Sequence, residues 1–127
     1  MTKTTVLKSK STKTILAVDD DGEIGLVLEM ILSDKEYQLD YVNSILSADE
    51  YLERYKPDLI VLDNKLPDGF GVDFISYIRK KYPALKIIMI SGFSSVRDVA
   101  LENGAHAFLE KPFSLDEFND TINRLLN

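Results

Sequence analysis

Residues 58–71 read DLIVLDNKLPDGFG. Leu59 to Leu62 is an unbroken apolar run, Asp63 closes it, and Pro67, Asp68, Gly69 and Gly71 are turn formers. A short apolar run with β-branched residues, bounded by turn signals, predicts a strand buried on both faces. The chain leaves the core at the C-terminal end of such a strand, and in open α/β sheets ligands bind at that edge. Asp63 is therefore a candidate functional acid on a rigid mount. Taken alone it reads first as a surface acid that opens a turn.

The same unit recurs on both sides. Ile15-Leu16-Ala17-Val18 predicts a buried strand that ends in Asp19, Asp20 and Asp21. A helix follows, with Ile24, Val27, Leu28 and Ile31 at i, i+3, i+4, i+7. Asp20 or Asp21 can cap it, and Gly25 inside it is unexplained by propensity. Gln38–Val42 is a more polar strand, hence nearer an edge, and a second helix shows Ile45, Ala48, Leu52 and Tyr55. After the Leu59–Leu62 strand, Phe74, Ile75, Ile78 and Tyr82 mark a third helix that Pro83 ends. Lys86–Ile90 is a strand running into Ser91-Gly92. Val96, Val99 and Ala100 mark a short fourth helix with Gly104 at its left-handed C-terminus. Ala105–Leu109 is a fifth strand, followed by Glu110-Lys111-Pro112-Phe113. The last helix opens with a Ser114-x-x-Glu117 capping box and places Leu115, Phe118, Ile122 and Leu125 at core spacing. Strand–helix alternation five times over predicts a parallel sheet with helices on both faces, joined by right-handed crossovers.

Length and charge bound the rest. The 127 residues suit one domain. Residues 1–13 carry four lysines and no acid, and read as a flexible tail ahead of a domain over 14–127. The remainder holds 11 basic residues against 21 acids, a net of −10, which argues against direct nucleic-acid binding. The lack of cysteine excludes disulfides and thiolate metal sites. A single histidine, His106, excludes a multi-histidine zinc site within the chain. His106 reads as a strand or surface residue. No stretch has membrane-spanning length and no secretory signal is present, so the expected location is the cytoplasm, off the membrane.

In a parallel sheet the C-terminal ends of the strands gather at one edge. That edge would hold Asp19, Asp20, Asp63, Ser91 and Lys111. Close carboxylates repel, and a hard divalent cation such as Mg²⁺ relieves them with oxygen ligands. A carboxylate in such a setting can act as nucleophile toward phosphorus. The cation, a lysine and a hydroxyl then neutralise the transferring phosphoryl oxygens. Each group also has an ordinary role: Asp19–Asp21 as helix caps, Ser91 as a turn residue, Lys111 as a solvated lysine. Their convergence at one edge favours a site.

The segments ILAVDDD (15–21), DLIVLDNKLPDGFG (58–71), IIMISG (87–92) and GAHAFLEKPF (104–113) together resemble the receiver domain of a two-component response regulator. The resemblance implies a flavodoxin-like (βα)5 fold with strand order 2-1-3-4-5. It implies that Asp63 accepts phosphate from a histidine kinase or histidine phosphotransfer protein. Mg²⁺ (or Mn²⁺) would be held by Asp20, Asp63 and the Lys65 backbone carbonyl, with Asp19 acting through water. Ser91 would bond a phosphoryl oxygen, Lys111 would pair with it, and Lys111-Pro112 would be cis. Phe108 would be an aromatic switch that turns inward when Ser91 moves, resting on packing alone because it lacks a hydroxyl. Lys65 and Phe93 would set the phosphate lifetime. The fourth helix, fifth strand and last helix, Ser95–Leu126, would form the partner face, or the phosphate would be relayed. The protein would be a monomer or weak dimer and no enzyme beyond its own phosphorylation and dephosphorylation. Asp21-Gly22 and Gly92 depart from the commoner pattern without removing a required group. Two rivals stand beside this: a haloacid-dehalogenase-type phosphohydrolase with Asp19 as nucleophile, and a pseudo-receiver that takes no phosphate.

Overall fold

Alternate residues of the central strands sort into two cores, which is the period-2 geometry of a strand packed on both faces. Leu16, Val18, Ile60, Leu62, Ile87 and Met89 belong to one, and Ile15, Ala17, Leu59, Val61, Ile88 and Ile90 to the other. The structure, a computed structural model, describes residues 13–32 and 37–127. The elements run β1 (Lys13–Val18), α1 (Glu23–Ile31), β2 (Tyr37–Val42), α2 (Ile45–Arg54), β3 (Leu59–Asp63), α3 (Gly71–Lys81), β4 (Lys86–Ser91), α4 (Arg97–Asn103), β5 (Ala107–Glu110) and α5 (Leu115–Leu126). The five strands of the main sheet all pair in parallel, in the order β2-β1-β3-β4-β5. This is the expected flavodoxin-like arrangement. Helices α2, α3 and α4 cover one face through Ala48, Leu52, Phe74, Ile75, Ile78 and Ala100. Helices α1 and α5 cover the other through Ile24, Leu28, Phe118 and Ile122.

Several expectations change in detail. Residues 1–12, expected as tail, lie outside the described residues, and Lys13 opens β1 opposite Tyr37. Val99 and Leu115 are 47% and 43% exposed, so they leave the core stripes in which their spacing placed them. Short helices at a sheet edge bury only one narrow line of residues, here Ala100 in α4. Strand β5 begins at Ala107, two residues later than expected. Gly25 is explained by packing: a Cβ there would lie 2.3 Å from Cε1 of the Tyr41 ring, which crosses the helix at that point. Gly104 has φ +119 at the end of α4, as expected. Ser114 accepts a hydrogen bond from the Glu117 N–H at 3.0 Å and caps α5.

Candidate functional site

The hydrogen-bond ladder continues past the strands and pins the residues at their C-terminal ends. The Asp19 N–H bonds the Val42 carbonyl at 3.1 Å, Asn64 N–H the Ile90 carbonyl at 3.1 Å, and Lys111 N–H the Ser91 carbonyl at 2.9 Å. Asp63 and Ser91 are themselves the last residues of β3 and β4, paired with Ile90 and Glu110. Asp63 is only 5% exposed and Ser91 2%. Side chains on such backbone keep their positions, as a reactive site requires.

Asp63 Oδ1 accepts the Asn64 N–H at 2.9 Å and lies 3.4 Å from Lys111 Nζ. The ammonium also stands 3.8 Å from Glu23, a partner the spacing of the sequence did not reveal. The Lys111-Pro112 peptide is cis. Burial raises the Asp63 carboxyl above its ordinary range, and the Lys111 charge offsets only part of this. At Lys111 burial is the largest single effect and acts downward, but the attraction of Asp63, Glu23 and Asp19 together outweighs it, and the ammonium is held above its usual range. Desolvation therefore dominates at the acid and attraction at the base, consistent with the acid being the more buried partner.

The three acids after β1 divide their work. Asp19 Oδ2 accepts the Ile24 N–H at 2.6 Å and its Oδ1 the Asp21 N–H at 3.3 Å, while Asp21 Oδ1 accepts the Glu23 N–H at 3.0 Å. Asp19 and Asp21 thus satisfy the open amides at the start of α1, whose cap residue is the side-chain-less Gly22. Asp20, expected as a possible cap, takes no part and is exposed. Burial pushes Asp19 up to about 6 against the lowering effect of the Ile24 N–H. The Glu23 N–H, then Asp19, hold Asp21 low. Carboxylate oxygens of Asp19, Asp20 and Asp21 lie within 4.8 Å of one another. An all-oxygen donor set of like charges fits a hard divalent cation, Mg²⁺ or Mn²⁺. Asp63 is outside that trio but shares with Asp20 and Asp21 the walls of a cleft of about 350 Å³.

Ser91, Lys65, Phe93 and Lys111 line the same cleft. Ser91 Oγ accepts the Phe93 N–H at 3.1 Å, which leaves its own proton for another acceptor. Lys65 Nζ sits over the Phe93 ring, 5.5 Å from its centroid. Phe108 is not at this edge. It is 8% exposed and belongs to the core on the α2–α4 face. His106 lies at the other end of β5, where its Nδ1 accepts the Ile87 N–H at 3.0 Å, and burial holds the imidazole below its usual range.

Two supports were not read from the sequence. Asn64 is buried; its Oδ1 accepts the Val72 N–H at 3.0 Å and its carbonyl the Gly71 N–H at 2.7 Å, which fastens α3 to the residue after Asp63. An Asn directly after a strand-end acid was the available signal. Asp68 reaches across to accept the Ile45 and Leu46 N–H groups, both at 2.9 Å, tying the turn after β3 to the start of α2. That turn is a small antiparallel hairpin of Lys65–Leu66 with Gly69–Phe70.

Residues 15–123 match the response regulator receiver domain family. The chain belongs to that family. This receiver domain is 33% identical over 109 residues to the response regulator protein PilR of Pseudomonas aeruginosa, covering 84% of the chain and 24% of PilR. It is 35% identical over 114 residues to the response regulator MprA of Mycobacterium leprae, covering 88% of the chain and 50% of MprA. The receiver domain thus spans about a quarter to a half of the length of these curated relatives. Its fold is similar to the signal receiver domain of a LuxO repressor protein from Vibrio parahaemolyticus, with a TM-score of 0.83 at 28% identity over 91% of this chain and 90% of that one. The beryllofluoride-activated NtrC4 receiver domain gives a TM-score of 0.81 at 35% identity, over 88% and 94%. The hydrolase rival is not favoured: both Asp19 oxygens are engaged by backbone N–H groups at α1. Among the described residues no helix is long and apolar enough to cross a membrane.

Proposed function

We propose that Asp63 accepts a phosphoryl group from the phosphohistidine of a kinase or phosphotransfer protein. An Asp63 oxygen forms the new O–P bond as the donor's N–P bond breaks, and the imidazole nitrogen leaves with the electron pair. The observation that carries this reading is a buried Asp63 at the end of β3, 3.4 Å from Lys111 and in one cleft with Ser91. Lys111 offsets the charge of the phosphoryl group. The Ser91 proton is free to donate to one of its oxygens. Asp20, Asp63 and the Lys65 carbonyl would hold Mg²⁺ or Mn²⁺, with Asp19 acting through water. The bound cation would neutralise acids and phosphoryl oxygens together. The chain would thereby promote its own phosphorylation and dephosphorylation and act otherwise as a signalling module.

Drawing Ser91 toward the phosphoryl group breaks its bond from the Phe93 N–H, so the loop from Gly92 into α4 shifts. Phe108 would turn inward as Ser91 moves and hold the shifted packing. The change would be read by a downstream protein at the α4–β5–α5 face, where Val99, Leu101 and Leu115 stand exposed, or the phosphate would be relayed. The Lys65–Phe93 pair would shield the acyl phosphate from water.

Acetyl phosphate or phosphoramidate with Mg²⁺ should add one phosphoryl group, read by intact mass, and add none to Asp63→Ala. Label that persists in Asp63→Ala and vanishes in Asp19→Ala would overturn the acceptor. Absence of label under every condition would make the chain a pseudo-receiver.

A further inference from the structure

Lys111 is shared between two acids. Its ammonium stands 3.4 Å from Asp63 Oδ1 and 3.8 Å from Glu23 Oε1. The two differ in kind: Asp63 is buried at the end of β3, whereas the Glu23 side chain is 61% exposed. Glu23 is the first residue of α1. The left-handed turn at Gly22 and the bond from its N–H to Asp21 Oδ1 at 3.0 Å place it there. An acid suits the first turn of any helix. Here Asp19 and Asp21 already meet the open amides, and the Glu23 carboxylate reaches across to the cleft lysine instead.

That reach changes what an incoming phosphoryl donor meets. The cleft walls carry the carboxylates of Asp20, Asp21 and Asp63 and the ammonium groups of Lys65 and Lys111. Lys65 lies over the Phe93 ring. Lys111 is the cation beside Asp63, and Glu23 offsets its charge from the solvent-exposed side. One fixed negative charge therefore stands next to the group that must pair with the phosphoryl oxygens. Its effect on a donor grows with the donor's own charge.

Given Asp63 as the phosphoryl acceptor proposed above, we propose that Glu23 is a specificity-determining residue: it competes for Lys111 and selects against phosphoryl donors by their negative charge. Acetyl phosphate is a dianion near neutral pH. Phosphoramidate carries one net negative charge there, because its nitrogen is protonated. With either donor an Asp63 oxygen forms the new O–P bond. Acetate leaves with the electron pair of the P–O bond in the first case, and ammonia with that of the P–N bond in the second. Glu23 hinders the doubly charged donor more.

The test is the second-order labelling rate of wild type and Glu23→Gln with each donor, read by intact mass. Mg²⁺ is raised until neither rate increases, so that both proteins carry the cation equally. The substitution is at an exposed side chain, and the variant should melt as wild type does. At low salt it should label about fivefold faster with acetyl phosphate and about twofold faster with phosphoramidate, since the logarithm of the gain follows donor charge. Both gains should vanish at about 1 M salt, where the Debye length is about 3 Å; a variant that acted by repacking α1 would keep them. Equal gains with the two donors, no gain with acetyl phosphate, or gains that survive high salt would each overturn the role of Glu23 and leave Asp63 as acceptor. If neither donor labels wild type, the acceptor reading falls and the role of Glu23 falls with it.

Discussion

Gly71→Ala tests the geometry beneath Asp63 most directly. Gly71 is the buried first residue of α3. A Cβ there would lie 2.4 Å from the Asp63 carbonyl oxygen, 3.0 Å from Leu62 Cγ and 3.3 Å from Asn64 Cα. Carbon and oxygen approach no closer than roughly 3.3 Å even in a weak C–H contact, so about 1 Å of movement is required. Two of the three obstacles are backbone, and one is the residue that carries the proposed phosphate. Overpacking costs about 1–3 kcal/mol where side chains can adjust, and more where the backbone must yield. The helix-propensity gain of alanine over glycine is about 1 kcal/mol at most. The net expectation is a loss of about 2 kcal/mol, or a Tm lower by about 8 °C. Moving Asp63 by a similar distance should slow its phosphorylation by up to about 100-fold. Gly25→Ala is the matched control. Its Cβ meets only the exposed ring of Tyr41, which can turn away with loss of its hydroxyl bond to Glu29. That bond and the propensity gain are each about 1 kcal/mol, so the net change is near zero. Urea unfolding followed by circular dichroism, with labelling rates from acetyl phosphate, separates the two. If Gly71→Ala unfolds and labels like Gly25→Ala, the close approach of α3 to Asp63 does not constrain this position.

Further expectations concern the cation, the lifetime and pH. Mg²⁺ at ten times its dissociation constant should stabilise the domain by about 1.4 kcal/mol; an equal rise of Tm in Asp20→Asn would remove Asp20 from the ligand set. Phe93→Ala should shorten the phosphoryl half-life several-fold, and an unchanged half-life rules out shielding by that ring. His106 should lose stability for the fold on acidification. Its pKa is lowered on folding, so the unfolded chain binds more protons, and stability falls as pH drops through about 6.5. Asp19 acts oppositely: its pKa is raised to about 6, so its contribution grows as pH falls from 6 toward 4. The readout is therefore the difference between wild type and His106→Asn, whose Oδ1 can still accept the Ile87 N–H. The variant should lose less stability than wild type between pH 7.5 and 5.5, and parallel curves would refute the role of His106.

The fold was legible because its signals are local. Apolar runs ending in Asp19, Asp63 and Ser91, alternating with helical stripes, leave little choice but a parallel sheet, and a parallel sheet puts those residues at one edge. The resemblance to receiver domains then supplied strand order and the cis Lys111-Pro112 bond. Other features depend on who meets whom across the fold, and residue type alone carries no such information. Asp19 and Asp21 rather than Asp20 cap α1, because only the turn at Gly22 decides which carboxylates reach the amides. Gly25 is explained only by the ring of Tyr41 on β2, and Gly71 only by the Asp63 carbonyl. Asp68 looked like a turn residue but caps a helix that begins 23 positions earlier. Val99 and Leu115 kept helical spacing yet fell outside the buried line, because a helix's apolar stripe is wider than the strip of sheet it covers. The sequence by itself determined the elements, their order and the chemical groups at the sheet edge, since periodicity and turn chemistry act over a few residues. Only the tertiary structure decided which oxygen faces which amide and which surface remains open, since those depend on contacts between segments far apart in the chain.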